Sequence, residues 1–329
     1  MRIGAILTYA GDTSDGTARE QNDGRSRATS LPLPTQDILG ASLIERMASR
    51  IHELDNLPPV LLQESSPSIQ FLPRRFNAEL PIPSGWEDAV AQFVRDGVDT
   101  LCLMRIGSYT DLDLTELLRF HLQFRSPVTQ AYAASGALNI AMVDASRLRA
   151  GNGNYRKILG GMMAEQRRFN YCGYVNAVNT LTDYHELAQD GLSGLCGLKP
   201  VGKQIQPDIW VAEKAHIDSA ARLSGPAFIG RGTRIRAGCV IRGGSSIECN
   251  CEIDCGSLIE NSCILQGTYI GVALDVRRSV VNGRKLFHLD RNVEISLSDD
   301  RLVGTQLSPS PLLAIVRRHN DGSTSVRAT

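Results

Sequence analysis

The chain has 329 residues, enough for about two domains at roughly 100 to 200 residues each. Its 42% apolar and 21% charged content excludes a collagen, a polar disordered chain and a membrane bundle. Lys plus Arg and Asp plus Glu both number 35, which argues against a general nucleic-acid or lipid-surface binder that relies on a positive field.

Met1 to Ala10 is a short apolar segment without a basic flank or cleavage site, and no stretch reaches the roughly 18 apolar residues of a membrane span. The expected location is cytoplasmic. Ile3 to Tyr9 reads as a first strand, followed by a polar, Gly-bearing loop from Gly11 to Ser30. Ile38 to Leu54 carries apolar residues at helical spacing in Leu39, Leu43, Ile44, Met47 and Ile51. Pro59 to Gln63 predicts a second strand, Trp86 to Arg95 a helix and Thr100 to Ile106 a buried strand. Leu112 to Phe124 predicts a helix opened by Thr110, Asp111 and Asp113. Gly136 to Val143 and Gly173 to Val178 supply later strands. Strands alternating with helices in this order predict a parallel sheet covered by helices.

From residue 217 the pattern changes. An aliphatic side chain recurs every six residues at Ile217, Leu223, Ile229, Ile235, Ile241, Ile247, Ile253, Ile259 and Leu265, with small, polar or Gly residues between. This period belongs to neither a helix nor a simple strand. It fits a triangular solenoid in which three six-residue units make one coil and residues 18 apart stack. The expected ladders are Ile217–Ile235–Ile253, Leu223–Ile241–Ile259 and Ile229–Ile247–Leu265, with Leu286 to Val303 closing the stack.

The cysteines at 102, 172, 196, 239, 249, 251, 255 and 263 form no repeated C-x-x-C pair, so structural zinc has little support. Those from Cys239 to Cys263 read as small reduced residues of a tightly wound fold. Arg231, Arg234, Arg236 and Arg242 read as a solvated or interchain salt-bridged face, with an anionic ligand site as the alternative. His216 and His288 read as solvated turn residues too far apart for acyl transfer or a shared metal.

The repeat, over roughly residues 209 to 290, resembles the left-handed parallel β-helix of hexapeptide repeats. Ahead of it lie the first strand with its Gly loop, Leu39-Gly40-Ala41-Ser42-Leu43-Ile44-Glu45-Arg46, Thr110-Asp111-Leu112-Asp113-Leu114 and Gly173-Tyr174-Val175 through Asp183-Tyr184. With the tail, these resemble the sugar-1-phosphate nucleotidyltransferases, such as mannose-1-phosphate guanylyltransferases and glucose-1-phosphate adenylyltransferases. The resemblance implies an α/β, Rossmann-like nucleotidyltransferase domain at 1–198, a left-handed parallel β-helix at 199–304 and a C-terminal tail at 305–329.

That family joins a sugar phosphate to the α-phosphorus of a nucleoside triphosphate, which requires cations and amides on the phosphates and carboxylates on magnesium. Laid on this chain, the G-x-G-T-R-x-x-P loop survives only as a stretched remnant with Gly11, Gly16, Thr17 and Arg19, the residual nucleotide-binding candidates. The two family lysines fall in Pro32-Leu33-Pro34 and Gly40-Ala41-Ser42. The two metal carboxylates fall on Gly107 and Ala177. The resemblance thus implies a nucleotidyltransferase-like protein without catalytic or metal-binding residues, acting as a regulatory or assembly subunit or as a nucleotide-sugar sensor.

Its expected partners are a nucleotide or nucleotide sugar and either its own copies or an active homologue, with no nucleic acid and no membrane. The alternative is an active magnesium-dependent enzyme with a rearranged site, in which Asp111 or Asp113 holds the metal. Both acids also suit a helix N-terminus.

Overall fold

The computed structural model describes residues 1–9, 33–54, 59–63, 85–149 and 154–305. They fall into two compact units: one holds the described residues up to Asn179 except Asp37–Gly40, and the other holds Asp37–Gly40 together with Thr180–Thr305.

The first unit is built on β1 (Ile3–Tyr9), α1 (Leu43–His52), β2 (Val60–Gln63), α2 (Trp86–Arg95), β3 (Thr100–Ile106), β4 (Tyr109–Thr110) and α3 (Leu114–Phe124). It continues through β5 (Val128–Ala133), β6 (Gly136–Asp144), α4 (Tyr155–Met162), β7 (Arg167–Asn170) and β8 (Val175–Asn176). The main sheet has six strands in the order β2-β1-β3-β6-β5-β7. It is mixed rather than parallel as expected: β6 runs antiparallel to both β3 and β5, because a tight hairpin joins β5 to β6. The remaining neighbours are parallel.

Helix α1 starts at Leu43, five residues later than Ile38, because Ser42 caps it in a reciprocal box with Glu45. Helix α3 likewise starts at Leu114, where the Asp113 carboxylate accepts from the Thr115 N–H. The strand expected over Gly173 to Val178 shrinks to β8, which has only β4 to pair with. One face of the main sheet packs Ile6, Leu101, Val128 and Val143 against Ala89, Val90 and Phe93 of α2 and Tyr155 and Met162 of α4.

In the second unit the sixfold period becomes three stacked sheets, the faces of a triangular β-helix. Ile217, Ile235 and Ile253 are in register on one face and Leu223, Ile241 and Ile259 on another. The third ladder departs from expectation: Ile229 stacks on Ile247, but Ile247 stacks on Ile264, not on Leu265. The cause lies at one corner of the triangle. The leg from Ile241 to Ile247 turns through two left-handed glycines, Gly243 and Gly244, whereas the leg from Ile259 to Ile264 turns at the single left-handed Asn261 and is one residue shorter. The next leg at this corner, from Val276 to Val281, repeats the saving with Arg278 left-handed.

The ladder side chains and Cys239 and Cys251 fill the axis. Cys249 and Cys263 are buried as well, whereas Cys255 is exposed. Beyond the last coil, Lys285–His288 and Val293–Ser296 extend one face antiparallel, and Val303–Thr305 closes another against Thr268–Ile270. His288 therefore lies in a strand rather than a turn. Paired across from Ser279, it is half-buried and its Nδ1 has no hydrogen-bond partner among the described residues. His216 is exposed but also strand-bound. Of the four arginines expected on a solvated or interchain salt-bridged face, Arg231 and Arg234 are exposed, while Arg236 pairs with Glu252 at 2.6 Å and the exposed Arg242 with Glu260 at 3.2 Å, bridging coils within the chain rather than between chains.

Helix α5 (Leu181–Leu192), capped by Thr180 and Asp183, lies against the short-legged corner. His185 Nε2 donates to the Asn261 carbonyl at 3.1 Å, and Gln189 donates to that of Gly244. Glu248 is fully buried. Its carboxylate accepts the N–H groups of Leu39 at 2.8 Å and Gly40 at 2.9 Å, while the buried Tyr184 hydroxyl donates to the Asp37 carbonyl. Leu39 and Gly40 are both left-handed, and a Cβ on Gly40 would meet Phe228 at 2.9 Å, so only glycine fits beneath the segment. No described helix is long and apolar enough to cross a membrane.

Candidate site at the carboxyl ends of the first-unit strands

In open α/β sheets ligands sit outside the carboxyl ends of parallel strands. Here β1 and β3 lie side by side with Thr8 opposite Arg105 and Tyr9 opposite Ile106, and Gly107 follows directly. The β4–β8 pair sets Thr110 against Val175 and Tyr109 against Asn176. Gly107 and Ser108 form the bend that leads from β3 into β4, and Ala177 directly follows β8. The two positions where the resemblance placed metal carboxylates thus lie next to the same end of this short strand pair. Ala177 is exposed, and a Cβ on Gly107 would meet nothing within 4 Å.

The acids nearby are engaged elsewhere. Asp111 Oδ1 accepts from the Tyr109 hydroxyl at 2.7 Å, and Asp113 Oδ1 caps α3 through Thr115 N at 2.8 Å. Arg50 on α1 holds the loop between them, donating to the Thr110 carbonyl at 2.8 Å and to that of Leu112. Tyr109 meets Tyr174 edge to face at 6.1 Å, and the Tyr171 hydroxyl donates to the Tyr174 carbonyl at 3.2 Å. Burial, then the negative charge of Asp111, pushes the Tyr171 phenol above its ordinary range. Among the described residues no group of three His, Cys, Asp or Glu is arranged to hold a metal ion.

An open hollow of about 200 Å³ lies on the sheet face beside these strand ends. Ile6, Leu103 and Ala141 line it together with Trp86, Thr8, Arg105, Gln130 and Asn139. Gln130 Nε2 donates to the Leu138 carbonyl at 3.3 Å, leaving its carbonyl oxygen as the acceptor for a ligand hydroxyl. Among the described residues the lining mixes apolar and polar groups, and Thr8, Gln130 and Asn139 suit a ligand that carries hydroxyls. Sequence reasoning missed it. Its signal was Arg105, a charge near the end of an otherwise apolar strand.

Of the remaining sequence candidates, Gly11, Gly16, Thr17 and Arg19 lie outside the described residues, as does Pro32. Leu33 belongs to a single 3-10 turn over Leu33–Thr35, and Ser42 is the α1 cap, so that side chain is engaged by the helix. In comparisons with known proteins, no family model matches the chain and no curated protein matches it.

Proposed function

We propose that this chain is a catalytically inactive relative of the sugar-1-phosphate nucleotidyltransferases, serving as a regulatory or assembly subunit that senses a nucleotide or nucleotide sugar. One observation carries the reading: the positions where the resemblance places the two metal carboxylates adjoin the same end of the β4–β8 pair, and they hold Gly107 and Ala177. The donor set does not fit magnesium, which takes oxygen ligands. Neither residue has a side-chain oxygen, Asp111 is bonded to Tyr109, and Asp113 to its own helix. No phosphoryl-transfer step is therefore derived for this chain.

The second support is architectural, an α/β unit followed by a β-helix in the order that family uses. The hollow lined by Thr8, Gln130 and Asn139 offers a place for an effector. Association with its own copies or with an active homologue is part of the same proposal, exposed coil faces of a solenoid being natural contact surfaces.

The test is thermal stability across nucleoside triphosphates and nucleotide sugars, with and without magnesium, since a ligand of the folded state raises the melting temperature. A metal-independent rise with a nucleotide sugar is expected. A magnesium-dependent rise with a triphosphate, accompanied by pyrophosphate release, would overturn the inactive reading.

A further inference from the structure

Strand β7 is an edge of the six-stranded sheet. The Tyr171 N–H donates to the Tyr132 carbonyl of β5 at 2.7 Å, so in this parallel ladder Phe169 and Arg167 also turn their backbone groups toward β5. By alternation the N–H and C=O groups of Arg168 and Asn170 point away from the sheet. Among the described residues nothing pairs with them, so they form an open strand edge.

The side chains flanking this edge are cationic on both faces. The Arg167 guanidinium lies over the Phe124 ring at 4.4 Å, and that of Arg168 lies over Tyr132 at 4.7 Å. Stacking on a ring orients a guanidinium without neutralising it. Neither arginine has an ion-pair partner among the described residues, and Glu165, the acid next to them in sequence, pairs with Arg147 at 3.7 Å. Phe120, Phe124 and Phe169 form a contiguous aromatic group beside the strand, and Phe124 remains 41% exposed. Arg119 and Arg125 of the adjoining helix are exposed as well.

We propose that β7 is a docking edge for an extended acidic peptide of a partner protein, which adds as a further strand and pairs its carboxylates with Arg167 and Arg168. The backbone edge supplies hydrogen bonds to any extended chain, and the paired arginines select its charge. The same arginines repel a basic strand and disfavour stacking of this edge on its own copy, so the feature discriminates as well as attracts. This surface stands independently of the nucleotidyltransferase-like reading.

The experiment is fluorescence anisotropy of the full chain with a short fluorescein-labelled peptide alternating glutamate and valine, alongside its lysine–valine counterpart. Saturable binding of the acidic peptide alone is expected, weakening as salt rises. Arg167→Ala with Arg168→Ala should weaken it about tenfold or more. Asn170→Pro, which removes one outward donor at a place where an edge strand accepts proline, should do the same. Hydrogen exchange at the Arg168 and Asn170 amides should slow on binding; if the proline variant does not fold, the arginine pair and the exchange data still decide. No saturable binding, equal binding of the lysine peptide, indifference to the arginine substitutions, or equal displacement by a single-stranded oligonucleotide would overturn the proposal.

Discussion

Replacing Ile253 by alanine tests whether the solenoid is held by its internal ladders. Ile253 is wholly buried between Ile235 below and Ile270 above. Alanine removes three carbon groups at about 0.8 kcal/mol each, roughly 2.4 kcal/mol in transfer free energy. The hole left between two rungs cannot close without shifting a coil, which brings the expected loss to about 3 to 5 kcal/mol. Ile217 stands in the same ladder but has a rung on one side only and is partly exposed, so its alanine variant should lose about 1 to 2 kcal/mol. The chain's two tryptophans make the assay direct. Trp86→Phe leaves Trp210, on the strand Ile209–Val211, as the sole fluorescent reporter of the second unit during urea unfolding. A loss under about 1 kcal/mol at Ile253, or equal losses at both positions, would refute the ladder argument.

Three further outcomes are expected. Glu248→Ala leaves the Leu39 and Gly40 N–H groups without their acceptor; destabilisation of about 2 kcal/mol and faster exchange of those two amides should follow, and unchanged exchange would show that the clamp is incidental. Burial holds the imidazoles of His121 and His185 below their ordinary value of 6.5. The unfolded chain therefore takes up protons first as pH falls through that value, and stability should decline from there downward until the folded-state histidines also protonate. Melting temperatures measured across this range should fall more gently for His185→Gln and His121→Gln, and an identical pH slope in both variants would count against the assignment. Gly107→Asp with Ala177→Asp should fold, there being open space at Gly107, yet show no nucleotidyl transfer, because the family lysine positions remain without a cation. Robust turnover by that double variant would mean that the site is less degraded than its residues indicate.

The solenoid was legible because its signal is a period, and a period survives substitutions at any one rung. The slip from Leu265 to Ile264 was not, since two adjacent apolar residues satisfy the pattern equally and the decision rests on how many left-handed residues a corner uses. The mixed sheet escaped for a related reason: strands with buried faces read alike whichever way they run. Helix α4 contains Gly160 and Gly161, which weaken any helical signal, and its start at Tyr155 became visible only through its packing on the sheet. Glu248 is the sharpest case. Following the ladder residue Ile247, it reads as an outward, solvated acid, and only the segment Asp37–Gly40 laid over it makes it a buried acceptor. At the candidate site, the resemblance named Gly107 and Ala177, but their place at one end of a pair of two-residue strands is something no periodicity reveals.

The Glu248 clamp also has a history in time. Leu39 leaves the ribosome 209 residues before the carboxylate that fixes its backbone. At about 5 to 20 residues per second, the segment waits roughly 10 to 40 seconds for its anchor. Throughout that interval the N–H groups of Leu39 and Gly40 have only water as an acceptor, so the nascent chain must keep this stretch uncommitted until the coil that carries Glu248 is made. Synthesis order, and not only final stability, thus bears on how the second unit is assembled.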